Sequence, residues 1–117
     1  MIMTNKWLLV MLGGSLGAAS RYGIGLLTAK LLGTGFPWGT MVVNLSGCFV
    51  IGLLFALADR VQLLTPDVRL FLITGYLGAL TTFSSFSLET INAGRVGLPL
   101  QALTNILINN LGGLALT

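Results

Sequence analysis

The sequence predicts an all-α integral membrane protein with four transmembrane helices per subunit, the third of them broken. Three observations carry this. Of 117 residues, 55% are hydrophobic and 8% charged, with a mean hydropathy of +0.94. A soluble domain carries about 25% charged residues, so the charge here is too sparse to cover a water-facing surface. Four apolar segments, at about 7–29, 38–58, 68–91 and 98–116, reach the roughly 20 residues that span a bilayer core. The loops between them are too short for a soluble domain, which makes 1–117 a single four-helix transmembrane domain in a lipid membrane.

The same composition excludes several function classes. The pI near 9.6 reflects six basic against three acidic residues without a basic patch, so no nucleic-acid partner is expected. Histidine is absent and Cys48 stands alone. That removes the usual zinc and haem sites, an intrachain disulfide and most acid–base catalysis near neutral pH, and no enzyme activity is expected. Cys48 reads as a small packing residue.

In the first segment, Lys6 and "WLLVMLGGSLGAAS" resemble a signal peptide, but apolar character continues past Arg21 to about residue 29, which favours a membrane helix. Gly13, Gly17, Arg21 and Gly25 lie at steps of four and share one face, where glycines let helices approach closely. Arg21 is a cation within a span. Such a group is costly there, which points to a paired or functional role, or else it snorkels to the headgroups.

The second segment follows the turn "GTGFPWG" and carries Thr40 and Asn44 four apart, then Gly47. Taken alone, Asn44 reads as an interhelical hydrogen bond worth about 0.6–2 kcal/mol.

The third segment contains "GALTTFSSFSLET", residues 78–90, an oily stretch with six hydroxyls and no charge before Glu89. Hydroxyls at Thr81, Thr82, Ser84, Ser85 and Ser87 compete for helix carbonyls, and with Gly75 and Gly78 they predict a break near mid-membrane. Broken backbone survives at that depth only inside protein or against a cavity, where it frees amides that suit anions and carbonyls that suit cations. Phe83 and Phe86 share a face of this helix. They are ordinarily core, but an aromatic ring also has an electropositive edge.

The fourth segment places Asn105, Asn109 and Gly113 at steps of four, with Asn110 alongside. Amides along one face form a polar track. Across the chain, donors abound while Asp59 and Asp67 fall in a loop and Glu89 lies toward a helix end. A cation route would call for acidic rings or carbonyl cages, so the uncharged, donor-lined route suits a small anion.

Lysines and arginines are almost evenly divided, Lys6, Arg60 and Arg69 on one side against Lys30 and Arg95, plus Arg21 if it snorkels that way, on the other. An even division permits insertion in both orientations, although short chains also show weak bias by chance. Four helices make a thin bundle that hardly shields a polar route from lipid, which favours a dimer.

Three motifs then carry a family resemblance: "GGSLGAASRY" (13–22), "GTMVVNLSGCFVIG" (39–52) and "GYLGALTTFSSFSLET" (75–90), continued more loosely in "NILINNLGG". They resemble the Fluc/CrcB fluoride channels. The resemblance implies a multi-pass protein of the cell inner (plasma) membrane, an antiparallel dual-topology homodimer with two fluoride pores at its interface. It implies ring edges from Phe83 and Phe86, donation to fluoride by Asn44, and Ser84 and Ser85 within the same helix-three signature. It places Thr40, Asn105 and Asn109 along the polar route and Arg21 near a vestibule. It also implies a structural sodium ion (Na+) between subunits, held by backbone carbonyls at Gly78 and Thr81. Ala79, Ser85 and Gly113 depart from the family's usual glycine, threonine and serine.

Such a route suits fluoride physically. The ion is small and strongly hydrated, so its lost water must be replaced by several donors, and no single one should bind it too tightly for release. Two rival readings share the size and pairing. A small multidrug exporter needs a membrane-embedded carboxylate that the first helix lacks, and a proton-coupled fluoride exporter has Glu89 as its candidate. A non-transporting assembly subunit explains the glycine faces but not the polar track.

Overall fold

The computed structural model describes residues 2–58, 60, 62 and 64–117, with side chains from Asn5 onward. Asp59, expected in a loop, lies outside the described residues. The architecture is all-helical, with four helices in sequence. The first runs Ile2–Leu32 and stops at Gly33, whose φ of +81° an L side chain rarely adopts. The second, Trp38–Ala58, begins directly after Pro37, a residue that cannot extend a preceding helix.

The third helix spans Pro66–Arg95. Thr65 caps its start by accepting from the Val68 amide at 3.3 Å, and Pro66 fills the first turn, where no amide partner is lost. Asp67 therefore sits in this first turn rather than in a loop, its charge favourable at the helix's positive end. The chain continues through a π-helical stretch, Leu70–Leu77, to Leu80. Thr81 (φ −81°, ψ 151°) and Thr82 (φ −147°, ψ 120°) are extended, and α-helix resumes over Phe83–Arg95. A Schellman turn ends it: the Leu98 amide donates to the Ala93 carbonyl at 2.8 Å and that of Gly97 (φ +81°) to Gly94 at 3.3 Å. The fourth helix comprises Pro99–Leu107, a π-helical stretch Ile108–Gly112, and Gly113–Leu116.

The first helix lies against the first half of the third, backbone on backbone. A Cβ on Gly13 would collide with the Phe71 carbonyl, and one on Gly17 with that of Tyr76. Tyr76 seals the seam by donating its hydroxyl to Ser20 at 2.9 Å. Lower down, a Cβ on Gly39 would stand 3.0 Å from the Cα of Gly25, so the first two helices also cross closely there.

The apolar core is small: Val43, Leu77 and Leu80, flanked by Ile24, Ile51, Leu54 and Tyr76. Large apolar side chains such as Trp7, Leu16, Leu27, Phe49 and Leu100 point outward. A soluble fold buries such residues; lipid welcomes them. The helices Trp38–Ala58 and Pro66–Arg95 are long and apolar enough to cross a membrane. The first is diluted by Arg21 and its glycines, the fourth by Gln101, Asn105, Asn109 and Asn110.

Candidate functional site

The site is organised by Thr82. In an unbroken helix its amide would bond the Gly78 carbonyl, and the Ser85 amide would bond that of Thr81. Instead Thr82 N–H donates to Asn44 Oδ1 at 2.8 Å, and Ser85 N–H donates to the Thr82 hydroxyl at 3.2 Å. Asn44 Nδ2 also donates to the Thr82 carbonyl at 3.1 Å. One side chain of the second helix thus takes both backbone groups of Thr82, as a neighbouring strand would. The Gly78 and Thr81 carbonyls lose the amides that a continuous helix would supply. Carbonyls released in this way are suitable cation ligands.

Arg21 meets the other side of the interruption, its Nε donating to the Ala79 carbonyl at 3.1 Å. Ala79 is near the C-terminal end of the first half-helix, where the backbone dipole favours a cation. Arg21 is only half-buried, and its bond spans two helices, so the side chain is paired.

From Asn44 a line of polar side chains leads away. Its second Nδ2 hydrogen reaches Asn109 Oδ1 at 3.0 Å. Asn109 Nδ2 donates to the carbonyl and the Oδ1 of Asn105, both at 2.9 Å. Asn105 Nδ2 donates to the Thr90 hydroxyl at 3.0 Å, which donates to the Phe86 carbonyl at 2.7 Å. The rings of Phe83 and Phe86 lie 5.6 Å apart, tilted by 53°. They differ sharply in exposure, Phe83 at 77% and Phe86 at 8%. On the opposite side of Thr82, the Thr40 hydroxyl donates to Glu89 Oε1 at 2.7 Å, while Glu89 Oε2 is buried without a partner among the described residues.

Two cavities flank this arrangement. One, of about 770 Å³, is lined by Arg21, Thr40, Ser85 and Glu89. The other, of about 410 Å³, is lined by Asn44, Phe83, Phe86 and Asn109, together with Gly78 and Thr81. Thr82 contributes to both walls. Two residues singled out from sequence line neither. Ser84 is exposed, its hydroxyl 3.3 Å from that of Thr82. Asn105 is 1% exposed, inside the bundle.

Thr82 and Thr90 were not among the candidate site residues. Thr82 carried a readable signal: a hydroxyl three residues ahead of Ser85, at the start of a helical run, is an N-cap pattern. Thr90 carried none, because its partner is 15 residues away on another helix.

Residues 8–117 match the family described as CrcB-like protein, Camphor Resistance (CrcB). A protein of Shewanella pealeana named fluoride-specific ion channel FluC is 48% identical over 105 residues, covering 90% of this chain and 84% of its own. A protein of Dehalococcoides mccartyi with the same name is 48% identical over 107 residues, 92% of this chain and 82% of its own. Another, from Salinibacter ruber, is 45% identical over 111 residues, 95% and 83% of the two chains.

Proposed function

The chain belongs to the CrcB family, and from that membership we propose that it is a fluoride-selective ion channel, letting cytoplasmic fluoride leave passively across the inner membrane and so conferring fluoride resistance. The observation that carries this reading is the pair of cavities sharing Thr82, walled by hydroxyls, amides and two phenyl rings. Fluoride loses a tightly held hydration shell on entry and needs many donors in its place. Conduction also needs each donor to let go. Asn44 meets both demands, since its two Nδ2 hydrogens already bond Thr82 and Asn109. Serving an ion then exchanges one bond for another instead of adding one, and the attraction stays moderate. Arg21, paired with Ala79, lends positive potential to the larger cavity without presenting a free charge at close range.

A second copy completes the site. Phe83 at 77% exposure leaves the smaller cavity open on one side, and the Asn44 and Asn109 amides in its largely apolar wall would be costly to turn toward acyl chains. An antiparallel homodimer would cover it with the partner's matching face. The Gly78 and Thr81 carbonyls, without their helical amides, fit a structural Na+ at that seam. Such an ion would neutralise carbonyl oxygens and make the interior potential more positive.

Fluoride-electrode measurement of efflux from proteoliposomes, with chloride as the control, tests the function. Fluoride efflux without chloride efflux is expected, and vesicles that stay fluoride-tight would sink the proposal. Glu89 supports a second reading, proton-coupled export, because one oxygen of its carboxyl has no hydrogen-bond partner among the described residues. Efflux independent of an imposed pH gradient would eliminate it.

A further inference from the structure

We infer that Asn105 and Thr90 are positioning residues for fluoride passage: they close a hydrogen-bonded ring that sets Phe86 relative to the break at Thr82, without touching the ion. The inference rests on the fluoride reading given above. The ring runs from the Thr82 amide, which donates to Asn44, through Asn109, Asn105 and Thr90 to the Phe86 carbonyl, and returns to Thr82 along one helical turn. It draws on the second, third and fourth helices.

Its donors all point one way. Asn44 gives to Asn109, Asn109 to Asn105, Asn105 to Thr90 and Thr90 to Phe86. Hydrogen bonds aligned head to tail polarise one another, so opening one weakens the others. Asn105 occupies the least accessible place in the ring, 1% exposed and absent from both cavity walls. An amide so placed is tolerated only when bonded, and here its Oδ1 accepts and its Nδ2 donates. Thr90 converts that bond into a position. Its hydroxyl accepts from Asn105 and donates to the Phe86 carbonyl one turn earlier, so it ties the Asn105 amide to the backbone of Phe86. The residue so held carries the 8%-exposed ring that walls the smaller cavity, packed against Phe83. Asn109, one turn beyond Asn105 on the same face, lies in the π-helical stretch Ile108–Gly112, a rare form that is frequent at functional sites.

A ring that merely glued helices together would change stability and nothing else per folded channel. The test therefore reads fluoride efflux per folded channel in proteoliposomes, and the ring signals of Phe86 by NMR of ¹³C-ring-labelled protein. Thr90→Val keeps the side-chain shape and removes the hydroxyl. It is expected to lower efflux about tenfold and to broaden the Phe86 signals, as a lost buried bond and its orphaned partner would. Thr90→Ser restores both to within about twofold of wild type, since the hydroxyl returns. Asn105→Leu matches Thr90→Val, and the double variant is no worse than either, because one ring opens only once. Wild-type efflux with wild-type Phe86 signals in Thr90→Val would overturn the inference, as would additive losses in the double variant. Should Asn105→Leu fail to assemble, the pair Thr90→Val and Thr90→Ser decides alone. Should the wild-type protein itself pass no fluoride, the proposed function falls. The Phe86 signals then judge the ring, and their indifference to Thr90→Val overturns it.

Discussion

At the scale of single residues, the side chain that shapes the site most is Asn44, which holds both backbone groups of Thr82. Asn44→Ala leaves those part-buried groups without their protein partner, at up to about 1–3 kcal/mol each. The expected result is a clear fall in thermal unfolding temperature in detergent, together with loss of fluoride efflux. Phe86→Ile separates the two effects. It keeps an apolar, somewhat smaller side chain but loses the ring edge, so efflux should drop more than about tenfold, while the unfolding temperature falls less than in Asn44→Ala. Unchanged efflux in both Phe86→Ile and Phe83→Ile would rule out a role for ring edges. Much at this scale was legible from spacing: Thr40 and Asn44, or Asn105 and Asn109, fall at steps of four and so on shared faces. What spacing could not reveal is which donors are already engaged. That depends on partners from other helices, such as Asn109 at 3.0 Å from Asn44, and no pattern within one helix encodes them.

At the scale of elements, the glycine face of the first helix is a packing surface, and a glycine off that face behaves differently. Gly13 and Gly17 meet backbone carbonyls of the third helix, whereas Gly23 has nothing within 4 Å of where a Cβ would stand. Gly13→Ala or Gly17→Ala must therefore push two helices apart and should destabilise by about 1–3 kcal/mol. Gly23→Ala removes a helix-weakening glycine at no steric cost and should stabilise by up to about 1 kcal/mol. Denaturant titrations of the three variants check the order. The sequence exposed these features unevenly. Apolar runs bounded by "GTGFPWG" and by Gly97–Pro99 located the second helix and the start of the fourth. Glycine steps of four identified a packing face, but the carbonyls of Phe71 and Tyr76 that it meets lie almost 60 residues away and leave no local trace. The first and third helices extend past their apolar stretches because the Gly33 and Gly97 turns, not hydropathy, end them.

At the scale of the molecule, the proposed pairing of two copies in opposite orientations, which the even division of Lys and Arg permits, can be tested through charge. Removing Lys30 and Arg95 in one variant, and Arg60 and Arg69 in another, should bias each to a single, opposite orientation. Neither variant alone should confer fluoride efflux, and co-expression of both should restore it; activity of one alone would refute the antiparallel arrangement. The membrane character of the whole was the most legible property, since composition sets it. Any pairing between copies was the least, because a chain's sequence records its contacts only as pattern. Thr82, shared between two hollows, has one last implication. If its side chain is what divides them, an ion crosses while the scaffold stands still, in about the time a hydroxyl takes to rotate. Throughput would then rise with warming only as gently as ionic mobility in water does, unlike the steep acceleration of carriers that must rock between two faces.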